Sequence, residues 1–339
     1  MTAGEVRDLG WIGLDPKSPA IDSLKSTLAS EPGLKGFDVF SPDAISAIAK
    51  AFHRDGFAVV KDVLSPQALA SLQTGCDRVV QEMLSLDPEA RGNRGSHRYS
   101  FGGASLTGAQ LHQPEWVELL EVSSVMQMIE AIFGSPDFIV RSAGGDFCLP
   151  GAIDYQPLHS DISDRKEITL KPGKTLVLGS FSDPEGLVDY RDLPCPYISC
   201  NFLTSDWTSL NGPIRQIPGT QRSHQPIPSL DQEPDWMRVS RLFPLKAGSI
   251  ILRDVRAWHG GTPNVSQFVR CMPNVEFLAP WYREPVVRSL PLALYDRLEP
   301  MAKYRCRYIV EQPGSPLRLG YRREFGGTPE NSRSRPKVR

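Results

Sequence analysis

The chain has 339 residues and a formal net charge of −1 at pH 7. This balance gives no general positive field for nucleic acid or an anionic membrane, so we expect a small molecule as the partner. The hydrophobic content of 40% is ordinary for a globular protein, and no run of about 18 apolar residues predicts a transmembrane helix. Six scattered cysteines without a secretory leader predict free thiols in a cytoplasmic protein. We expect either a monomer or a homodimer, and no sequence feature decides between them.

The composition changes along the chain and predicts three regions. Residues 1–40 contain several prolines and glycines, which predict an extended N-terminal arm. Residues 41–310 predict a single domain, with a helical N-terminal part over 41–135 and a β core over 136–280. Residues 311–339 end in a stretch rich in Arg, Ser and Pro, which predicts a partly disordered C-terminal tail.

The N-terminal part of the domain has the apolar spacing of helices. Ser41 and Pro42 suit the start of a helix that ends before Gly56, and Ser65 suits the start of a second helix. Apolar residues at helical spacing predict a third helix over 114–133. We expect these helices to cover one face of a sheet.

The central part of the chain consists of short apolar runs separated by Gly, Pro, Asp and Asn, which is typical of antiparallel β structure. The expected fold class is mainly β with flanking helices, built on a double-stranded β-helix, the jelly roll of cupin-like proteins. Strands are expected at 138–147, 176–181, 197–203, 212–217, 239–243, 248–253 and 268–277.

Two histidines and one aspartate form a candidate metal site. His159 and Asp161 are two residues apart, and on a strand such residues point to the same face. His259 follows the predicted strand at 248–253, where a side chain can reach the same metal. Two imidazoles and one carboxylate are the ligands of the facial triad of non-haem Fe(II) oxygenases. Arg270, eleven residues after His259, has the fork geometry that binds a carboxylate.

At these positions the chain resembles the phytanoyl-CoA dioxygenase family of Fe(II)/2-oxoglutarate oxygenases. The resemblance covers about residues 40–280. The segments that carry it are 51–65, His159 with Asp161, 211–219, 259–264 and Arg270.

The resemblance implies a reaction centre with Fe(II), 2-oxoglutarate as cosubstrate and O2. It implies that His159, Asp161 and His259 are the iron ligands and the catalytic residues. It also implies that Arg270 binds the C5 carboxylate of 2-oxoglutarate. The family's activity would be hydroxylation of an unactivated C–H bond with release of succinate and CO2.

Further cosubstrate contacts follow from the same resemblance. Gln156 and Arg98 match positions that contact the cosubstrate in some members. The chain departs from the family at Gly261, where some members have a hydroxyl side chain, so that contact is either missing or supplied by Thr262. A second departure is a longer segment before His224, which leaves the position of this histidine open.

Three aromatic residues near the proposed ligands, Tyr155, Trp207 and Trp258, are candidates for the substrate pocket, and core packing is the alternative for each. The polar segment 182–195 is either a lid that orders over the substrate or an ordinary solvated loop.

The sequence therefore predicts an Fe(II)/2-oxoglutarate-dependent dioxygenase that hydroxylates a small-molecule metabolite or natural-product intermediate. Desaturation, epoxidation and cyclisation need the same centre and remain open. One alternative is a cupin-like metal-dependent dioxygenase or isomerase that does not use 2-oxoglutarate. A further alternative is a non-catalytic ligand-binding relative that keeps the fold.

Overall fold

A computed structural model shows the fold of the protein. It describes residues 11–33, 36–103, 106–162, 166–171, 174–178, 183, 185–285 and 287–321. Within these ranges, no helix has the length and apolar character needed to span a membrane. The predictions for the first ten residues of the arm and for 322–339 of the tail lie outside the described residues.

The described residues form eight α-helices and two short 3-10 turns, of which one joins α4 to α5. The helices are α1 Pro19–Ala29, α2 Ile45–Asp55, α3 Pro66–Leu86, α4 Pro114–Glu118, α5 Ser123–Phe133, α6 Asp235–Arg238, α7 Leu292–Tyr295 and α8 Pro300–Cys306.

Eleven strands lie within the same described ranges. They are β1 Val39–Phe40, β2 Phe57–Val60, β3 Arg98–Ser100, β4 Ile139–Cys148, β5 Lys166–Lys171, β6 Lys174–Leu178, β7 Tyr197–Phe202, β8 Ile214–Gln216, β9 Ile250–Asp254, β10 His259–Gly261 and β11 Arg270–Leu278.

Two facing sheets form the β core. The larger sheet has the strand order β1-β2-β9-β7-β11-β4-β3, and β10 pairs with β8 in a smaller sheet. Isolated bridges widen the smaller sheet on both sides, His159 with His259 and Arg215 with Arg241. A separate antiparallel hairpin consists of β5 and β6. The predicted jelly roll with flanking helices is confirmed.

The two faces of the larger sheet have different chemistry, as β9 shows. Ile250 and Leu252 point outward into the apolar core that α2, α3 and α5 cover. Ile251 points to the other side, where it packs with residues of the smaller sheet. Because successive side chains alternate between the faces, Arg253 also points to the inner side. The helices therefore bury one face, and the inner face is left to form a site.

Local signals explain where the helices begin and end. Ser65 Oγ accepts a hydrogen bond of 3.2 Å from Ala68 N at the start of α3. Gly56, with a φ of 81°, ends α2 in the left-handed conformation that glycine adopts without strain. The third predicted helix is confirmed as helical, but it is divided into α4 and α5 by the 3-10 turn Leu119–Glu121.

The N-terminal arm differs from the predicted extended chain, because it contains α1. Ser18 Oγ caps this helix by accepting from Ile21 N at 3.4 Å, and proline at the first position begins a helix without breaking it. Ile21 and Leu28 are buried. Glu31 then pairs with buried Arg241, which fastens the arm to the domain.

The predicted strand at 239–243 is absent from the described residues. Arg241 makes only a single bridge with Arg215, after the short helix α6. The other predicted strands are present with shifted ends, and residues 179–181 of one of them lie outside the described ranges. The strands β1, β3 and β10 are two or three residues long, too short for a periodic signal. The domain boundaries remain a prediction.

Candidate metal centre

His159, Asp161 and His259 converge between the two sheets. Nε2 of His159 lies 3.8 Å from Oδ1 of Asp161, and Nε2 of His259 lies 3.6 Å from the same oxygen. The three candidate ligand atoms all lie within 4.8 Å of one another. Such a cluster is small enough for one ion to contact all three side chains.

Backbone pairing fixes the two histidines relative to each other. His159 N donates to His259 O and His259 N donates to His159 O, both at 3.0 Å. This reciprocal pair brings the two imidazole rings to 4.2 Å between centroids. The histidines are distant in sequence, so the tertiary pairing of strands creates the site.

The hydrogen bonds of the imidazoles define which nitrogen is available. His159 Nδ1 lies 3.1 Å from Pro157 O, and His259 Nδ1 lies 3.0 Å from Ala257 O. A carbonyl oxygen accepts only from a protonated nitrogen, so each Nδ1 carries the hydrogen. The lone pair is then on Nε2, which faces Asp161, and this is the arrangement found in metal-binding histidines.

Asp161 is held in its ionised form by its neighbours. Burial raises the pKa of Asp161, but the positive charge of Arg253 outweighs it, and the pKa lies well below its ordinary value. Arg253 donates to Oδ2 of Asp161. The main chain is also anchored, since Asp161 N donates to Val255 O at 2.8 Å and Tyr197 OH donates to Asp161 O at 3.3 Å.

Charge and burial keep His259 neutral. Burial and the Arg253 guanidinium lower the pKa of His259 well below its ordinary value. A neutral imidazole with Nε2 unprotonated can donate its lone pair to a metal ion.

A cavity of about 430 Å³ opens beside the three side chains. Both sheets line it: His259 and Gly261 belong to the smaller sheet, and Arg253, Arg270 and Asn274 to the larger one. The lining is mainly polar, which suits a cosubstrate with two carboxylates better than an apolar ligand.

Arg270 is buried in this cavity without a hydrogen-bond partner for two of its nitrogens. Nε and Nη1 are both unsatisfied within the described part of the chain. The guanidinium lies 5.9 Å from the ring centroid of Trp207. A buried cation is costly without a counter-charge, so this guanidinium is suited to bind an anion that enters the cavity.

Arg98 lies in the same row of the larger sheet. Arg98 pairs with Cys148 across β3 and β4, and Arg270 pairs with Cys148 across β4 and β11. Arg98 Nη2 donates to Asp154 O and to Thr262 O, both at 2.8 Å. Burial lowers the pKa of Arg98, and the positive charge of Arg270 adds to this effect.

Gln156 links the first ligand segment to β10. Its Oε1 accepts from Gly261 N at 3.0 Å, and its main-chain N donates to Gly261 O at 2.9 Å. Arg215, which is paired with buried Glu233, donates to Gln156 O at 2.7 Å. These hydrogen bonds hold Gln156 in the cavity wall beside Gly261.

The sequence matches the family described as "Phytanoyl-CoA dioxygenase (PhyH)" over residues 52–272, which is more than half of the chain. The chain belongs to the phytanoyl-CoA dioxygenase family. This confirms the predicted family of Fe(II)/2-oxoglutarate-dependent oxygenases. The matched range begins within α2 and contains α3 to α5, both proposed histidine ligands, Asp161 and Arg270.

Solved structures with a similar fold are distant in sequence. HygX from Streptomyces hygroscopicus, solved with nickel and 2-oxoglutarate, is 14% identical and aligns over 73% of this chain and 90% of its own, with a TM-score of 0.49. EctD from S. alaskensis, solved with 2-oxoglutarate and 5-hydroxyectoine, is 17% identical over 86% and 90%, with a TM-score of 0.49. AviO1 from Streptomyces viridochromogenes Tue57 is 19% identical over 70% and 96%, with a TM-score of 0.46. None of the curated proteins compared matches the sequence.

The structure resolves the two departures from the family pattern. Thr262 is fully buried and its hydroxyl donates to Pro213 O at 2.6 Å, so it does not replace the side chain missing at Gly261. His224 is exposed and lies 3.3 Å from Asp189 and 3.1 Å from Asp192, apart from the cavity.

The three aromatic residues predicted for the substrate pocket lie outside the lining of this cavity. Among the described residues that line the cavity, Tyr155, Trp207 and Trp258 are absent. Trp207 packs in the apolar core between the sheets, and Trp258 packs in a small cluster with Leu158. The rings of Trp207 and Trp258 are buried among apolar side chains, whereas the cavity wall is mainly polar. Core packing therefore describes both residues.

The segment 182–195 is described except for residues 182 and 184. Asp183 accepts three backbone N–H groups of the following turn, and Arg191 pairs with Asp189. Leu187 is 77% exposed. Whether the segment closes over a substrate remains a prediction.

Arg253 and Arg215 are site residues that sequence reasoning missed. Each is a charged side chain in a strand that is otherwise buried on both faces. In β9 the charge of Arg253 follows three apolar residues and is itself a signal, because buried arginines are almost always paired. The partner, however, cannot be identified from the strand alone.

Proposed function

We propose that this protein is an Fe(II)/2-oxoglutarate-dependent oxygenase that hydroxylates an unactivated C–H bond of a small-molecule metabolite. One observation carries the proposal: a two-histidine, one-carboxylate cluster shares its cavity with the unpaired, buried guanidinium of Arg270. Family membership supports the same conclusion.

The metal would be held by His159, Asp161 and His259. Two neutral imidazole nitrogens and one ionised carboxylate fit Fe(II), and three ligands on one side of the ion leave its other positions open. The orientation of both Nε2 atoms towards Asp161 supports this fit. When Fe(II), 2-oxoglutarate and O2 are bound, the centre supplies an oxidant for the C–H bond and releases succinate and CO2.

Arg270 would bind the C5 carboxylate of the cosubstrate 2-oxoglutarate. The guanidinium of Arg270 can donate two parallel hydrogen bonds to one carboxylate along one edge of its fork, and its Nη1 has no other partner among the described residues. Arg98, in the same cross-strand row, adds a second buried positive charge to this end of the cavity. Gln156 lines the cavity and contributes a polar side chain beside Gly261.

The substrate would occupy the part of the cavity beyond the proposed ligands. Arg141 lines this cavity and also a second cavity of about 430 Å³ whose lining is mostly apolar. Its guanidinium is bound by Glu276 and Glu284 and lies 5.0 Å from the Tyr197 ring centroid. These contacts hold the Arg141 side chain between the two cavities. The limited volume of the cavity beside the proposed ligands supports a small organic substrate.

A metal enzyme that does not use 2-oxoglutarate is the principal alternative. Such an enzyme would have no need for the buried, unsatisfied guanidinium of Arg270. A non-catalytic relative would have no need for two imidazole nitrogens and a carboxylate that converge on one point. Both features support the oxygenase over these alternatives.

Anaerobic titration of the apo-protein with Fe(II), followed by 2-oxoglutarate, tests the proposal. We expect a weak visible charge-transfer band that requires both components. His159→Ala is expected to abolish the band. His224→Ala is the matched control, because it removes an exposed histidine outside the cavity and should leave the band intact.

The possible failures separate the alternatives. Iron binding without a band on addition of 2-oxoglutarate would favour the cupin-like enzyme. Absence of both iron binding and the band would favour a non-catalytic relative. If the band appears, succinate formation coupled to consumption of a candidate metabolite would identify the substrate.

A further inference from the structure

The two oxygens of the Asp161 carboxylate have different neighbours. Oδ1 faces Nε2 of both His159 and His259, at 3.8 and 3.6 Å. Oδ2 faces away from them and accepts a hydrogen bond from Nη2 of Arg253. One oxygen is therefore directed at the candidate metal position, and the other is already occupied.

Arg253 is fixed on the opposite wall of the cavity. It lies in β9, in register with Phe57 of β2 and Ser199 of β7, so strands flank it on both sides. Its side chain is 6% exposed. A charged group at such depth is stable only with a partner, and within the described ranges Asp161 is the carboxylate that it contacts.

The remaining freedom of Asp161 is small. Its backbone N–H and C=O are both hydrogen-bonded, to Val255 and Tyr197. Only the side-chain torsions could still turn the carboxylate so that both oxygens face the metal. The contact with Arg253 prevents this rotation.

We propose that Arg253 is a positioning residue that restricts Asp161 to binding the metal through Oδ1 alone. This inference rests on the proposed function, because it concerns the same centre. A carboxylate that binds through both oxygens occupies an additional coordination position. The facial arrangement needs three open positions, two for the cosubstrate and one for O2. Arg253 thus keeps a position open without contacting the metal.

Co(II) binding to the purified full-length protein tests this role without turnover. In Arg253→Met, we expect Co(II) affinity to rise rather than fall, because Oδ2 can add a metal–oxygen bond and a positive charge near the cation is removed. The d–d absorption of the bound Co(II) should also change, because the coordination number changes when Oδ2 becomes available. Circular dichroism would establish that the variant is folded.

Arg94→Met is the matched control. Arg94 lines the same cavity and pairs with a carboxylate, Asp146, that is not a proposed ligand. This variant should bind Co(II) with the affinity and spectrum of the wild type. If Arg253→Met does not fold, Arg253→Leu is the second variant; it also cannot donate to Oδ2, so the same change in spectrum is expected.

The outcomes distinguish this inference from the proposed function. Wild-type affinity and a wild-type spectrum in a folded Arg253 variant would overturn the positioning role and leave the metal centre in place. Failure of the wild type itself to bind Co(II) or Fe(II) would overturn the proposed function. Equal changes of affinity and spectrum in the Arg253 and Arg94 variants would show a general effect of cavity charge and would also refute the inference.

Discussion

Nε of Arg98 lies 2.7 Å from the position that a Cβ atom on Gly261 would occupy. Arg98 therefore fills the space that a side chain at 261 would need. Carbon atoms are not tolerated at this distance from a side chain that is itself held by two backbone carbonyls. The glycine and the arginine form a complementary pair in the wall of the cavity.

The first prediction concerns this pair. Gly261→Ala should displace Arg98, lower the free energy of unfolding by about 1–3 kcal/mol and weaken 2-oxoglutarate binding by roughly tenfold, about 1.4 kcal/mol. In an Arg98→Ala background the same substitution should cost little further stability, since the clash has been removed. Urea unfolding of the four proteins measures this coupling. Additive free energies would contradict it.

The second prediction concerns Arg270. Arg270→Ala should weaken 2-oxoglutarate binding by at least about 100-fold, because two charge-assisted hydrogen bonds contribute roughly 3 kcal/mol. Iron affinity should change little, since Arg270 makes no contact with the three proposed ligands. Isothermal titration with each component measures both constants. An unchanged requirement for 2-oxoglutarate would refute the assigned role.

The third prediction concerns Asn264, which is fully buried. Its Nδ2 donates to Cys148 O at 3.0 Å and to Phe268 O at 2.9 Å, and its Oδ1 accepts from Ser266. Asn264→Ala should lower the free energy of unfolding by about 2–4 kcal/mol, because buried carbonyl groups lose their donors. Denaturant unfolding provides the measurement.

Asn93→Ala is the control for this substitution. Among the described residues, Asn93 accepts from Gly95 N alone, in a partly exposed loop, so its loss should cost less than about 1 kcal/mol. Equal losses of unfolding free energy in the two asparagine variants would contradict the stabilising role of the Asn264 hydrogen bonds.

The fourth prediction concerns the thiols, which are all buried and free. Burial raises the pKa of Cys306 to about 12. Burial is also the main cause of the raised pKa of Cys76, Cys148, Cys195 and Cys200. An unfolded thiol ionises at about pH 8.5, so the native state should lose stability as the pH rises from there towards 12. Unfolding experiments across this window measure the slope.

Alkylation with iodoacetamide at pH 9 gives an independent check. The native protein should react slowly, because its thiols are buried and inaccessible, whereas the unfolded chain should be labelled at all six cysteines. Rapid labelling of the folded protein would contradict the burial of the thiols.

The sequence alone predicted the elements whose signals are local. Ser65 and Gly56 define helix ends through single side-chain or backbone preferences, and both positions are confirmed. The spacing of His159 and Asp161 is likewise a local property of an extended chain. The sequence does not by itself predict the helix that begins at Pro19 within the arm, because proline interrupts a helix at most other positions.

Only the tertiary structure decided which side chains share the cavity. Arg253 and Asp161 are 92 residues apart in sequence, and Arg98 and Thr262 are 164 residues apart. No local periodicity encodes such pairs, because strand register in two facing sheets determines which residues lie opposite each other. The sequence thus determined the chemistry available, and the packing of the sheets determined which groups are held together and which guanidinium remains free.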